Sequence, residues 1–110
     1  MTTKIIKLAQ DFHRAPAGRF LDDGDYSGQR FRDEYLAPTL KDTKIDHLEI
    51  ILDDLEGVGS SFWEEAFGGL IRESKIPYDV IKKKMILKCQ DDDTLKPLIE
   101  NYLLRASKQK

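Results

Sequence analysis

The stretch His47-Leu48-Glu49-Ile50-Ile51-Leu52 constrains the fold more than any other in the chain. Leu48, Ile50 and Leu52 alternate as one face of a β-strand, and Ile51 brings an apolar residue to the other. Apolar residues on both faces suit a covered strand at the centre of a sheet. Such a strand needs flanking strands and helices, and the rest of the chain has the patterns to supply them. Lys4-Ile5-Ile6-Lys7-Leu8-Ala9 reads as a first strand and Met85-Ile86-Leu87-Lys88-Cys89 as another. Gly18-Arg19-Phe20-Leu21 reads as a short extended piece able to pair with the first strand.

Helical spacing fills the intervals. Phe31, Tyr35, Leu36 and Leu40 recur every three to four residues within Ser27–Leu40, where Pro38 is expected to kink or end the regular part. A second helix is expected from Phe62 to Ser74, and a short one after Pro77 as far as Ile81. The last helix carries Leu95, Leu98, Ile99, Tyr102, Leu103 and Ala106 on one stripe. Asp91, Asp92 and Asp93 stand at its positive end and Arg105, Lys108 and Lys110 at its negative end, as the helix dipole favours. The order is β, helix, β, helix, β, helix, which implies an α/β fold with parallel neighbours.

A chain of 110 residues, 40% hydrophobic and 35% charged, fits one domain spanning 1–110 with a single core. The net charge of −2 argues against a nucleic-acid-binding surface. No apolar run is long enough for a membrane span, and the N-terminus lacks the pattern of a secretion signal, so a cytoplasmic location is expected. Cys89 is the one cysteine, read as a buried structural thiol in a reducing compartment.

The segment Gly59-Ser60-Ser61-Phe62-Trp63-Glu64-Glu65-Ala66-Phe67-Gly68-Gly69-Leu70 raises the functional question. Apolar pairs every four positions give a broad buried face, which places Glu64, Glu65, Arg72 and Glu73 outside it. Two glycines inside a helix each cost about 1 kcal/mol relative to alanine, so they imply close packing against the sheet or a partner. Ser61 followed by Glu64 is the capping-box spacing. The other reading makes Ser60 or Ser61 a phosphoacceptor. Free amides at a helix start attract phosphate, while Glu64 and Glu65 oppose it.

A family resemblance joins these features. Gly18-Arg19, Asp23-Gly24, Tyr26-Ser27-Gly28, Phe31-Arg32 and Leu36-Ala37-Pro38, followed by the Gly59–Leu70 block, resemble the STAS-like bacterial domain family of unknown function. That family is similar to the anti-sigma-factor antagonists. The likeness runs from Gly18 to Arg72 and implies a STAS-like α/β fold, a small mixed sheet of about four strands with helices mainly on one side. It further implies a regulatory module that binds a histidine-kinase-like ATPase and is phosphorylated on a serine at the start of the second main helix. Ser60 or Ser61 would match that serine, although Gly59 replaces the antagonists' aspartate and Phe62 their final glycine. Phe62, Glu64, Glu65, Gly68 and Gly69 would then meet the partner.

Other chemistry is sparse. Arg19, Ser27, Arg30 and Arg32 could surround a small anion or nucleotide, an alternative sensor reading against ordinary surface ion pairs. Asp22-Asp23-Gly24-Asp25 lacks the register of a calcium loop and reads as a solvated turn. His13 and His47 have no catalytic or metal-binding company, and Lys82-Lys83-Lys84 reads as a solvated turn. Neither a phosphate loop nor a nucleophile elbow is present, so no enzymatic activity, metal or cofactor is expected.

Overall fold

The computed structural model describes residues 2–109. Its sheet has the order β1 (Thr3–Lys7), β2 (His47–Ile51), β3 (Met85–Lys88), with both pairs parallel. The apolar stretch around Leu48–Leu52 supplies the central strand. The sheet has three strands rather than about four, and it is wholly parallel rather than mixed. The Gly18–Leu21 piece pairs with nothing in the sheet. It runs instead into a single 3-10 turn, Leu21–Asp23, because the Asp23 carboxylate accepts from the amides of Arg19 and Phe20 at 3.0 and 2.8 Å and bends the chain there.

Register decides which sheet face is covered. Ile6, Ile50 and Leu87 lie in one row, with Leu48 and Leu52 beside them on the same face, and all are buried. Ile5, Glu49 and Ile86 form the next row on the opposite face, where Ile5 is 49% exposed. The first face is the covered one, while the opposite face is exposed at Ile5 and Ile86 and half-buried at Glu49. The apolar Ile51 is half-buried rather than covered.

The first crossover, α1, combines Gly28–Phe31, a π-helical turn Arg32–Leu36 and Ala37–Lys41. Ser27 caps it, its hydroxyl accepting from the Arg30 amide at 3.2 Å. Pro38 neither ends nor visibly breaks it. The amide of Ala37 reaches back five residues to the carbonyl of Arg32, and this wide turn takes up the missing proline donor. The second crossover, α2, has the same construction: Ser60–Trp63, a π turn Glu64–Gly68, then Gly69–Arg72. Tyr78–Lys84 forms α3 and leads directly into β3, while Leu95–Lys108 forms α4.

The two crossovers approach closely because residue 28 is glycine. A Cβ there would lie 2.5 Å from the Phe62 carbonyl and 3.1 Å from the Ala66 amide nitrogen, both fixed backbone. Phe31 and Phe62 meet across this interface with ring centroids 6.1 Å apart, and both are fully buried. Among the elements found, the stripe of α4 is inward at Leu95, Ile99, Leu103 and Ala106, while Leu98 stays exposed.

Candidate functional site

The chain leaves β2 through Leu52–Gly59 at the carboxyl end of the parallel strands, where ligands and partners of open α/β sheets commonly sit. Aspartates hold the base of this loop. Asp53 accepts from the amides of Gln90 and Asp91 at 2.6 and 3.1 Å, and Asp91 accepts from the amide of Asp54 at 2.9 Å. The loops after β2 and β3 are thus clasped reciprocally. The main-chain donors of Asp91 and Gln90 hold the Asp53 carboxyl below its usual range. Asp54 takes a left-handed φ of 66°, which an aspartate tolerates.

Cys89 completes this cluster. Its thiol donates to an Asp91 oxygen at 3.3 Å and lies 3.6 Å from the Leu52 carbonyl. Burial first, then the Asp91 hydrogen bond, push it up to about 11. Asp53, Cys89 and Asp91 present ligand atoms within 4.8 Å of one another, but the carboxylates already serve amides and the thiol keeps its proton. The cluster is a loop clasp.

Ser60 and Ser61 open α2 and both are exposed. The capping box is not formed. Gly59 is the N-cap, no side chain caps the helix, and the Glu64 carboxylate is engaged elsewhere. Starting two residues earlier than the capping-box spacing implies leaves both hydroxyls at the first free amides of the helix. Ser60 borders a hollow of about 300 Å³ with Val58, Trp63, Asp91, Asp92 and Leu98.

The body of α2 points the other way. Phe62 is fully buried, and Glu65, Gly68 and Gly69 are buried with it, so none of them offers a surface to a partner. The expectation that Glu65 stands outside fails because the π turn rotates it inward. There it meets the Arg32 guanidinium, and each residue is only 4% exposed. Arg32 also donates to the Glu65 carbonyl and to Asp33. A full ion pair is what makes such burial tolerable.

Around that pair, Arg19 donates to Glu64 at 2.5 Å and Glu65 at 3.2 Å, while Arg72 reaches the same carboxylates at 2.7 and 3.3 Å. Burial alone would raise the Glu64 carboxyl, but hydrogen bonds from Arg72 and Arg19 outweigh it and hold the group low. The same Glu64 bonds raise Arg19 and Arg72 above their usual range. The paired glycines make room for this network. A Cβ on Gly69 would collide with the Arg32 guanidinium, and one on Gly68 would stand 2.6 Å from Glu64 Oε2.

The anion-site candidates are accounted for in the same way. Arg19 and Arg32 line one cleft, but carboxylates already neutralise both. Ser27 is buried as a helix cap. Arg30 pairs with Glu34 at 3.1 Å and donates to the Asp25 carbonyl, away from that cleft. Sequence reasoning missed Arg72 as a network member. The signal available was the paired glycine, which marks the approach of something large and here admits an arginine side chain.

No helix among the described residues is long and apolar enough to cross a membrane. The model of the family described as STAS-like domain of unknown function (DUF4325) matches residues 27–94, more than half of the chain, and takes in both crossovers, the serines and β3. No curated protein and no solved structure matches the chain. The chain belongs to this STAS-like family.

Proposed function

We propose that this STAS-like domain is a non-enzymatic regulatory module, docking on a histidine-kinase-like ATPase and switched by phosphorylation of Ser60 or Ser61. The observation that carries the reading is the exposure of both hydroxyls at the start of an otherwise buried helix. The docking surface is the exposed loop Asp54, Glu56, Gly57 and Gly59 with the two serines, not the buried body of α2. In the transfer, the γ-phosphoryl bond of partner-bound ATP breaks, a bond forms to a serine oxygen, the hydroxyl proton passes to a base of the partner and ADP leaves. The dianion would then stand beside Asp91 and Asp92 and repel whatever the unmodified surface accepts. Nucleic acid, membrane, metal and cofactor have no part in this reading.

Incubation with ATP and a histidine-kinase-like ATPase, followed by mass spectrometry, tests it. Phosphate is expected at residue 60 or 61 and absent from the Ser60→Ala, Ser61→Ala double variant, while Ser60→Asp with Ser61→Asp weakens the complex about ten-fold. Absence of both phosphate and complex would overturn the proposal.

A further inference from the structure

The two edges of the sheet are not alike. β1 ends the sheet with exposed Lys4 and Lys7, neither in an ion pair among the described residues, the usual protection against unwanted strand pairing. β3 ends it with Met85-Ile86-Leu87-Lys88, and its lysine is drawn across the sheet to Glu49 at 2.8 Å. The edge near Ile86 and Leu87 is left without that protection.

Hydrogen-bond direction shows what β3 offers. The Leu52 amide donates to the Lys88 carbonyl, so in this parallel register Lys88 and Ile86 turn their main-chain groups toward β2. Leu87, between them, turns its N–H and C=O outward. The Met85 amide is already used, donating to the Ile81 carbonyl of α3. Beside this edge runs a groove of about 580 Å³ between α3, β3 and α4, with an apolar floor that includes Ile81, Leu87 and Leu103. Ile86 (38% exposed) and Leu104 (40% exposed) stand at its border. Lys82 and Lys96 line the groove against one carboxylate, Glu100, and Lys83 is exposed next to Lys82. In a chain of net charge −2, this is a locally cationic rim.

We propose that the β3 edge and its groove accept an extended peptide segment of a partner protein, apolar in its middle and acidic at its flanks, added as a fourth strand. The Leu87 N–H and C=O supply the main-chain pairing, the groove takes the apolar side chains on the helix face, and Lys82 and Lys96 attract the acidic flanks. The site is independent of the serine switch, so either can fail without the other.

The probe is a short capped peptide, Asp-Glu-Val-Ile-Val-Asp-Glu, titrated by fluorescence anisotropy and by amide hydrogen exchange. Binding is expected with slowed exchange at the Leu87 amide. The Lys82→Glu, Lys96→Glu double variant and the exposed Leu104→Glu variant should each weaken it about ten-fold. Proline in place of the central isoleucine should abolish it, because a fourth strand needs that donor. Far-ultraviolet circular dichroism confirms that each variant is folded. Unchanged exchange at Leu87, equal binding of the proline peptide, or equal binding of a version with lysines for its acids overturns the proposal. So does sedimentation showing that a second copy of the chain occupies the edge.

Discussion

The domain holds two carboxylate clusters, and they are neutralised by different means. Glu64 and Glu65 lie against α1 and are satisfied by the side chains of Arg19, Arg32 and Arg72. Asp53 and Asp91 lie at the carboxyl ends of the strands and are satisfied by main-chain amides. Water can reach the second cluster, so partial charges suffice there. It is nearly excluded from Glu65, and an anion in such a place needs a whole positive charge. The first cluster therefore fixes how two helices pack, while the second only fixes two loops.

Removing one partner of the buried pair breaks this contrast most severely. Arg32→Ala is expected to cost about 3 kcal/mol in urea unfolding, because the enclosed Glu65 loses its buried partner and keeps only the longer contacts from Arg19 and Arg72. Arg32→Met combined with Glu65→Leu should recover most of the loss, and a double variant no better than the single one would show that the pair itself is indispensable.

The glycines come next. Gly69→Ala should cost about 1–3 kcal/mol through its collision with Arg32. Gly59→Ala, with open space around it, should cost under about 1 kcal/mol. Thermal melts of the two variants compare them directly.

Acid separates the clusters more gently. Glu64 is held below its ordinary value of 4.5, so its contribution is fully present above that pH and is lost as pH falls through the depressed folded value. Glu64→Gln lacks that term. Its stability should be lower than wild type at pH 7 and should fall less steeply below pH 4.5 in acid titrations followed by circular dichroism.

The smallest effect is chemical. With Cys89 pushed up to about 11, its thiol should be modified by iodoacetamide at pH 8 more slowly than a free thiol of ordinary value 9.0. Asp91→Asn removes the second-largest cause and should speed labelling, with a stability change under about 1 kcal/mol. The raised value also means that stability declines as pH climbs from 9 toward 11.

Much of the fold is legible in particular residues. The alternation around Leu48–Leu52 predicts the central strand, and the stripe from Leu95 to Ala106 predicts α4. The serine exposure follows from two polar residues ahead of an apolar helix. The π turns are not legible. Pro38 hints at the first, but regular spacing puts Glu65 outside, and only the wide turn brings it in.

By itself, then, the order of apolar patterns determined a parallel α/β sheet whose helices carry one buried stripe each, because periodicity and burial are local properties of the chain. Tertiary structure alone decided that Glu65 meets Arg32, that Gly68 and Gly69 serve an arginine network, and that β3 is the less protected edge. Those outcomes depend on which helix lies against which, and on the charge that must follow another charge out of water.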